Sequence, residues 1–140
     1  MVGILLDTCV LSELVKPLPN PAVEAWVAGI PSERLFLSVI TLGEVTRGTS
    51  ELPVSKRRSA LELWIAETEA SFGERVIPID AIVAHTWGAI TGRLRAQGVQ
   101  LAPTDGLIAA TALVHRLAVV TRNVKDFEAT GVNLLNPWDE

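Results

Sequence analysis

Apolar positions along this chain fall into two patterns. Short continuous runs at Val2–Leu6, Leu35–Ile40, Val76–Ile79 and Leu117–Val120, rich in Leu and β-branched residues, read as buried strands, and a further short run closes the chain at Val132–Leu135. Between them lie segments of helical period. Thr8–Lys16 is predicted to be a helix stopped by Pro17 and Pro19, and Pro21 suits the first turn of the next. In that second helix Val23, Trp26, Val27 and Ile30 share one face. Thr41 and Glu44 make a Thr-x-x-Glu capping box, predicted to start a third helix. Pro53 and Ser55 open a longer one, with an apolar stripe of Leu61, Trp64, Ile65, Thr68 and Phe72. Asp80 is predicted to cap a helix whose core face is Val83, Trp87, Ile90 and Leu94 and which ends at Gly98. Thr104–His115 reads as a strongly apolar helix, and Thr121–Glu128 as a polar loop. Strands alternating with helices predict an α/β fold of three layers, a mostly parallel central sheet of about four to five strands flanked by helices. With no repeat or linker, residues 1–140 are expected to form a single domain.

Composition narrows this picture. A chain of 140 residues, 49% of them apolar, can bury a core without a disulfide, and its scarce aromatics favour a helix-rich protein. The net charge of −4 excludes a global basic field of the kind that marks many nucleic-acid binders, although an acidic metal pocket would itself lower the charge. Cys9 is the only cysteine, so neither an internal disulfide nor a Cys/His zinc site is available, and a reducing compartment is expected. Val2–Leu6, closed by Asp7, is too short for a signal-peptide core, and Leu107–Val120 is broken by His115 and Arg116. The expectation is a cytoplasmic protein without membrane association.

The candidate chemistry sits where apolar runs end. Asp7, Glu44, Asp105 and Asn123, the last followed by Asp126, lie at or near helix starts or in a loop. Singly, each acid has a structural explanation. Asp7 suits an N-cap, Glu44 the capping box, and Asp105 a helix dipole. Together they imply more, because ligands of an open α/β sheet bind at the carboxyl ends of its strands. Two unit charges about 5 Å apart repel by roughly 3 kcal/mol at an effective dielectric near 20. Ser or Thr would cap a helix without that repulsion. Carboxylates meeting at one edge need a cation, and oxygen ligands suit Mg²⁺ or Mn²⁺, which points to metal-assisted phosphodiester hydrolysis.

Four segments also carry a resemblance: Leu5-Leu6-Asp7-Thr8, Leu37 to Glu44, Asp105 to Ala112, and Val120 to Phe127. In order and spacing they resemble the PIN domain of VapC-type bacterial toxins, and Asn136-Pro137-Trp138 is similar to the ending of the FitB-like subgroup. The resemblance implies a PIN-like fold and a metal-dependent ribonuclease, inhibited by a co-expressed antitoxin with a DNA-binding domain and assembling as a homodimer. Asp7, Glu44 and Asp105 would be its acidic triad and metal ligands. Asn123 stands where many relatives carry a fourth acid, with Asp126 as the other candidate for that place, and Thr121 matches a supporting hydroxyl. Two positions depart from the pattern: Cys9 stands where Asn or Ser is common, and Asn123 is neutral.

Other residues have two readings. Arg47, Arg93, Arg95, Arg122 and Lys125 are candidate phosphate contacts or solvated surface, and Lys56-Arg57-Arg58 is a basic cluster at a helix start. His85 and His115 read as core or surface, Trp26, Trp64 and Trp87 as core or interface, and Cys9 as a small buried filler. The antitoxin is expected near Thr8–Lys16 and Pro21–Ile30. An aspartate-nucleophile phosphatase wants a second Asp where Cys9 stands, and a receiver domain wants adjacent acids after the first strand. The remaining alternative is a non-catalytic PIN-fold module that binds RNA or a partner.

Overall fold

The computed structural model describes residues 2–139. Its sheet has five strands, all parallel: β1 (Ile4–Leu6), β2 (Leu35–Ser38), β3 (Val76–Ile77), β4 (Ala118–Val120) and β5 (Leu134–Leu135), in the order β3-β2-β1-β4-β5. Seven helices connect them: α1 (Thr8–Leu14), α2 (Pro21–Ala28), α3 (Val39–Ser50), α4 (Lys56–Phe72), α5 (Ala81–Ala96), α6 (Pro103–His115) and α7 (Val124–Phe127).

The pleat of the short strands sorts their side chains into two cores. Ile4, Leu6, Leu35, Leu37 and Val120 face a cluster completed by α1 and α2, with Trp64 and Phe72 of α4 on its flank. Leu5, Val119 and Phe127 face the other side, where α6 contributes Ile108, Ala109 and Ala112. Helix α5 packs on α6 as an outer layer through Val83, Ile90 and Leu94. That packing is close at Gly106, where a Cβ would come within 2.8 Å of Trp87 Cδ1. Both faces of the sheet are covered, as parallel strands require.

Three expectations need correction. Strand β2 ends at Ser38, and α3 starts at Val39 with Ser38 as its N-cap, Oγ accepting from Ile40 N at 3.0 Å. The Thr41–Glu44 capping box therefore does not form. Thr41 lies inside the helix, and its buried Oγ1 has no hydrogen-bond partner among the described residues. Pairing explains the early start, since Ser38 aligns with Ile77 at the last rung of the short β3. The predicted polar loop Thr121–Glu128 contains α7, held down by the fully buried Phe127. Helix α1 ends at Leu14, before the prolines: Lys16 N closes a three-residue turn onto Glu13 O at 3.2 Å, and the Glu13 carboxylate accepts from Asn20 N at 2.9 Å and from Lys16 at 3.0 Å. Asn20 in turn caps α2, with Pro21 in its first turn as expected.

Candidate active site

Strand order reverses between β1 and β4, since the chain winds outward from β1 to β2 and β3 on one side and from β4 to β5 on the other. Such a switch point splays the connections apart and opens a crevice at the carboxyl ends of the two strands. Asp7 directly follows β1, and Thr121 directly follows β4. Asp7 N donates to Val120 O at 3.0 Å, locking the two strand ends together.

The Asp7 carboxylate is buried, 4% exposed, and fully engaged. Oδ1 accepts from Thr8 N at 2.8 Å, and Oδ2 accepts from Thr121 Oγ1 at 2.8 Å, with Cys9 Sγ at 3.6 Å. Thr121 Oγ1 also accepts from Asn123 N at 2.9 Å, so one buried hydroxyl orients the acid and the start of the α7 segment together. Burial raises the Asp7 pKa, and nearby Glu44 adds to the rise; hydrogen bonds from Thr121, Thr8 and Cys9 oppose it.

Glu44, freed from the capping box, points its Oε1 to Thr8 Oγ1 at 2.5 Å. Thr8 thus ties two acids from different elements, its backbone to Asp7 and its hydroxyl to Glu44. Thr8 carries no role in the sequence motif beyond its place there; a hydroxyl directly after a strand-end Asp is the signal for this one. Asp105, half-buried in the first turn of α6, is pushed up to about 6. Desolvation is the main cause, followed by the charges of Asp7, Asp126 and Glu44.

The structure therefore gathers four carboxylates within electrostatic reach: Asp7, Glu44, Asp105 and Asp126. Asn123 is exposed, and its side chain makes no capping hydrogen bond to the start of α7. Among the described residues no three Asp, Glu, His or Cys side chains are close enough to hold an ion as they stand. The acids are neighbouring charges here, not a formed coordination shell.

Cys9 is half-buried between Asp7 and Thr121, accepts from Arg122 N at 3.4 Å, and burial pushes its thiol up, away from thiolate reactivity. Arg122 and Lys125 share an open cleft with Asn123, Asp126 and Asn136. Arg47 is exposed and faces Glu51 at 3.7 Å, while Arg93 and Arg95 lie exposed in the last turn of α5. Arg58 is taken by Leu52 O at 3.1 Å and Glu62 at 3.7 Å. His85 and His115 are exposed, and Trp26 and Trp64 pack against the core.

Stability without metal should report the Asp105 environment. A carboxyl raised in the fold holds its proton more tightly folded than unfolded. Its contribution is full below its ordinary 3.8 and is lost as pH rises through about 6. Asp7 shifts in the same direction. Thermal melts in chelator should therefore show stability falling from about pH 4 to about pH 7, by the order of 1 kcal/mol once solvent screening of a half-buried group is discounted. Asp105→Asn should flatten that slope, and an unchanged slope in the variant would contradict the assignment.

The PIN domain family model matches residues 4–133. The chain belongs to the PIN-domain family. Within it, this PIN domain is similar to VapC-type toxins over its whole length. A VapC ribonuclease of Sinorhizobium fredii is 36% identical over 97% of this chain and 98% of its own. Toxin FitB of Neisseria gonorrhoeae is 37% identical over 98% of this chain and 99% of its own. The structure of FitAB bound to a DNA fragment superposes with a TM-score of 0.90 at 37% identity, covering 96% of this chain and 95% of that one. The expected fold and family thus stand.

Proposed function

We propose that this PIN domain, acting over residues 1–140 as one domain, is a metal-dependent endoribonuclease and the toxin of a toxin–antitoxin pair. The observation that carries this reading is the hydrogen-bonded chain from Glu44 through Thr8 and Asp7 to Thr121, which draws acids to the crevice between β1 and β4. Full-length likeness to a VapC ribonuclease and to toxin FitB supports it.

The donor set fits a hard cation, since every side chain of the cluster offers oxygen. Asp7 and Asp105 would hold Mg²⁺ or Mn²⁺, with Glu44 reaching it directly or through water. When bound, the ion supplies a water of lowered pKa and offsets charge on the scissile phosphate. Thr121 and Thr8 keep Asp7 fixed, and a carboxylate of the cluster accepts the proton of the attacking water. Arg47, Arg122 and Lys125 are the proposed contacts to flanking RNA phosphates.

Asp126 is the fourth acid of this reading and Asn123 its neutral neighbour, because the charge of Asp126 is felt at Asp105 whereas Asn123 carries none. For partners, the antitoxin was expected near α1 and α2; α1 also borders a groove with α3 and α4, lined by Leu11, Val15, Leu61, Trp64, Arg57 and Glu44 and containing no α2 residue, and the proposed site moves there. An antitoxin segment lying there reaches the acids through Glu44. The pair would work in the cytoplasm with the toxin as a homodimer; no described helix is long and apolar enough to cross a membrane.

The test is cleavage of tRNA, rRNA and mRNA with Mg²⁺, with a chelator control. Cleavage should require the metal, Asp126→Asn should lower the rate about tenfold or more, and Asn123→Ala should lower it by only about twofold. Metal-independent cleavage, or none of any RNA by folded protein, sinks the reading. A larger loss in Asn123→Ala than in Asp126→Asn would return the fourth place to Asn123.

A further inference from the structure

We propose that the C-terminal turn acts as a positioning device: Trp138 holds the Arg122 guanidinium at the rim of the acidic crevice, where it takes an RNA phosphate beside the one being cleaved. This rests on the ribonuclease reading and adds a residue to it.

Arg122 is anchored through its own amide and the residue before it. The preceding Thr121 N donates to Leu135 O at 3.0 Å, its Oγ1 holds Asp7 Oδ2, and Arg122 N itself donates to Cys9 Sγ at 3.4 Å. The base of the side chain is therefore fixed next to the acids. The side chain is exposed, and an exposed arginine samples many rotamers and loses that freedom when it grips a ligand. The indole of Trp138 counters this, with the guanidinium carbon 5.7 Å from its ring centre.

Trp138 is itself a fixed platform. Its N donates to Asn136 Oδ1 at 3.0 Å, Asn136 Nδ2 donates to Asp139 Oδ2 at 3.1 Å, and Pro137 is buried. The indole packs on the core cluster of Leu6, Val10, Leu11 and Val23. Pairing of Val120 with Leu135 sets the distance between arginine and ring. A guanidinium held over the indole at cation–π distance still has N–H groups free for a phosphate. The cleft beside it is lined by Asn123, Lys125, Asp126 and Asn136. Near so many carboxylates, a cation held in advance at the rim offsets the repulsion a polyanion meets on entry.

Cleavage kinetics on a fluorogenic single-stranded RNA of mixed sequence, in Mg²⁺, separate positioning from packing. Arg122→Gln should raise KM about five- to tenfold and Trp138→Leu about threefold, both acting on KM and not on kcat. Added to Arg122→Gln, Trp138→Leu should raise KM no further, because the two act as one unit. Trp138→Phe should restore KM. Independently of RNA, the Arg122 side-chain protons should show an upfield ring-current shift that Trp138→Leu abolishes.

Additive effects on KM, an unchanged KM in Trp138→Leu, or no ring-current shift in the wild type would overturn this role while leaving the ribonuclease reading intact. If Trp138→Leu does not fold, the wild-type ring-current shift of the Arg122 side-chain protons together with Trp138→Phe decides: absence of the shift, or a raised KM in a folded Trp138→Phe, overturns the role. A wild-type protein that cleaves no RNA overturns both.

Discussion

Asp7→Asn and Asp105→Asn are each expected to reduce RNA cleavage by about a thousandfold or more, because each removes a negative oxygen from a site whose chemistry depends on a bound cation. The metal-free fold should be as stable as before, or slightly more so. At Asp7 the amide keeps Oδ1 for Thr8 N, and its NH₂ replaces Oδ2 beside Thr121 Oγ1, a hydroxyl able to turn and accept. At Asp105 the change removes a charge opposed by desolvation and by three neighbouring carboxylates. Stability given up for function behaves this way, whereas an acid kept only to cap a helix has no activity to lose. Initial rates with Mg²⁺ and melts in chelator read the two halves separately. Retention of more than about a tenth of the wild-type rate in either variant would remove that residue from the machinery.

Phe127→Ala is expected to cost about 3–5 kcal/mol of stability, read by urea unfolding. Phe127 has no exposed surface and packs in the core with Leu5, Ile108 and Val119. It is also the only buried side chain of α7, so its loss should release the segment that carries Asp126. Phe127→Leu should recover most of the loss. A cost below about 1 kcal/mol for the alanine variant would mean that this ring is not the anchor of the segment.

Much of the architecture was legible because its signals are local. Each strand run was bounded by residues that do not continue it, and caps such as Ser55 and Asp80 bond to amides within three residues. What failed was decided at a distance. Ser38 and Thr41 are both good N-caps by composition, and only the pairing of Ser38 with Ile77, far along the chain, chooses between them. Phe127 sits in a polar stretch too short to show a period, and its burial depends on the underside of β1 and β4. In the site, the strand-end acids could be named from the sequence, but the hydroxyls that hold them could not be assigned partners. Thr8 reaches Glu44 across 36 positions, and Trp138 meets Arg122 only because β5 lies beside β4. Cys9 was expected to be a small buried filler; it is only half-buried, and its sulfur accepts from Arg122 N.

The bond between Asp7 and Thr121 spans 114 positions, which gives the crevice a birth order during translation. Asp7 leaves the ribosome 114 residues ahead of its partner hydroxyl. At about 5–20 residues per second, the interval between them is on the order of ten seconds. Throughout it the nascent chain has no β4 beside β1, no Arg122 and no C-terminal turn. During that interval the crevice lacks its β4 wall, and the proposed site is incomplete. The crevice forms only once β4 and Thr121 have emerged, and a partner that recognises the finished edge has nothing to capture before then.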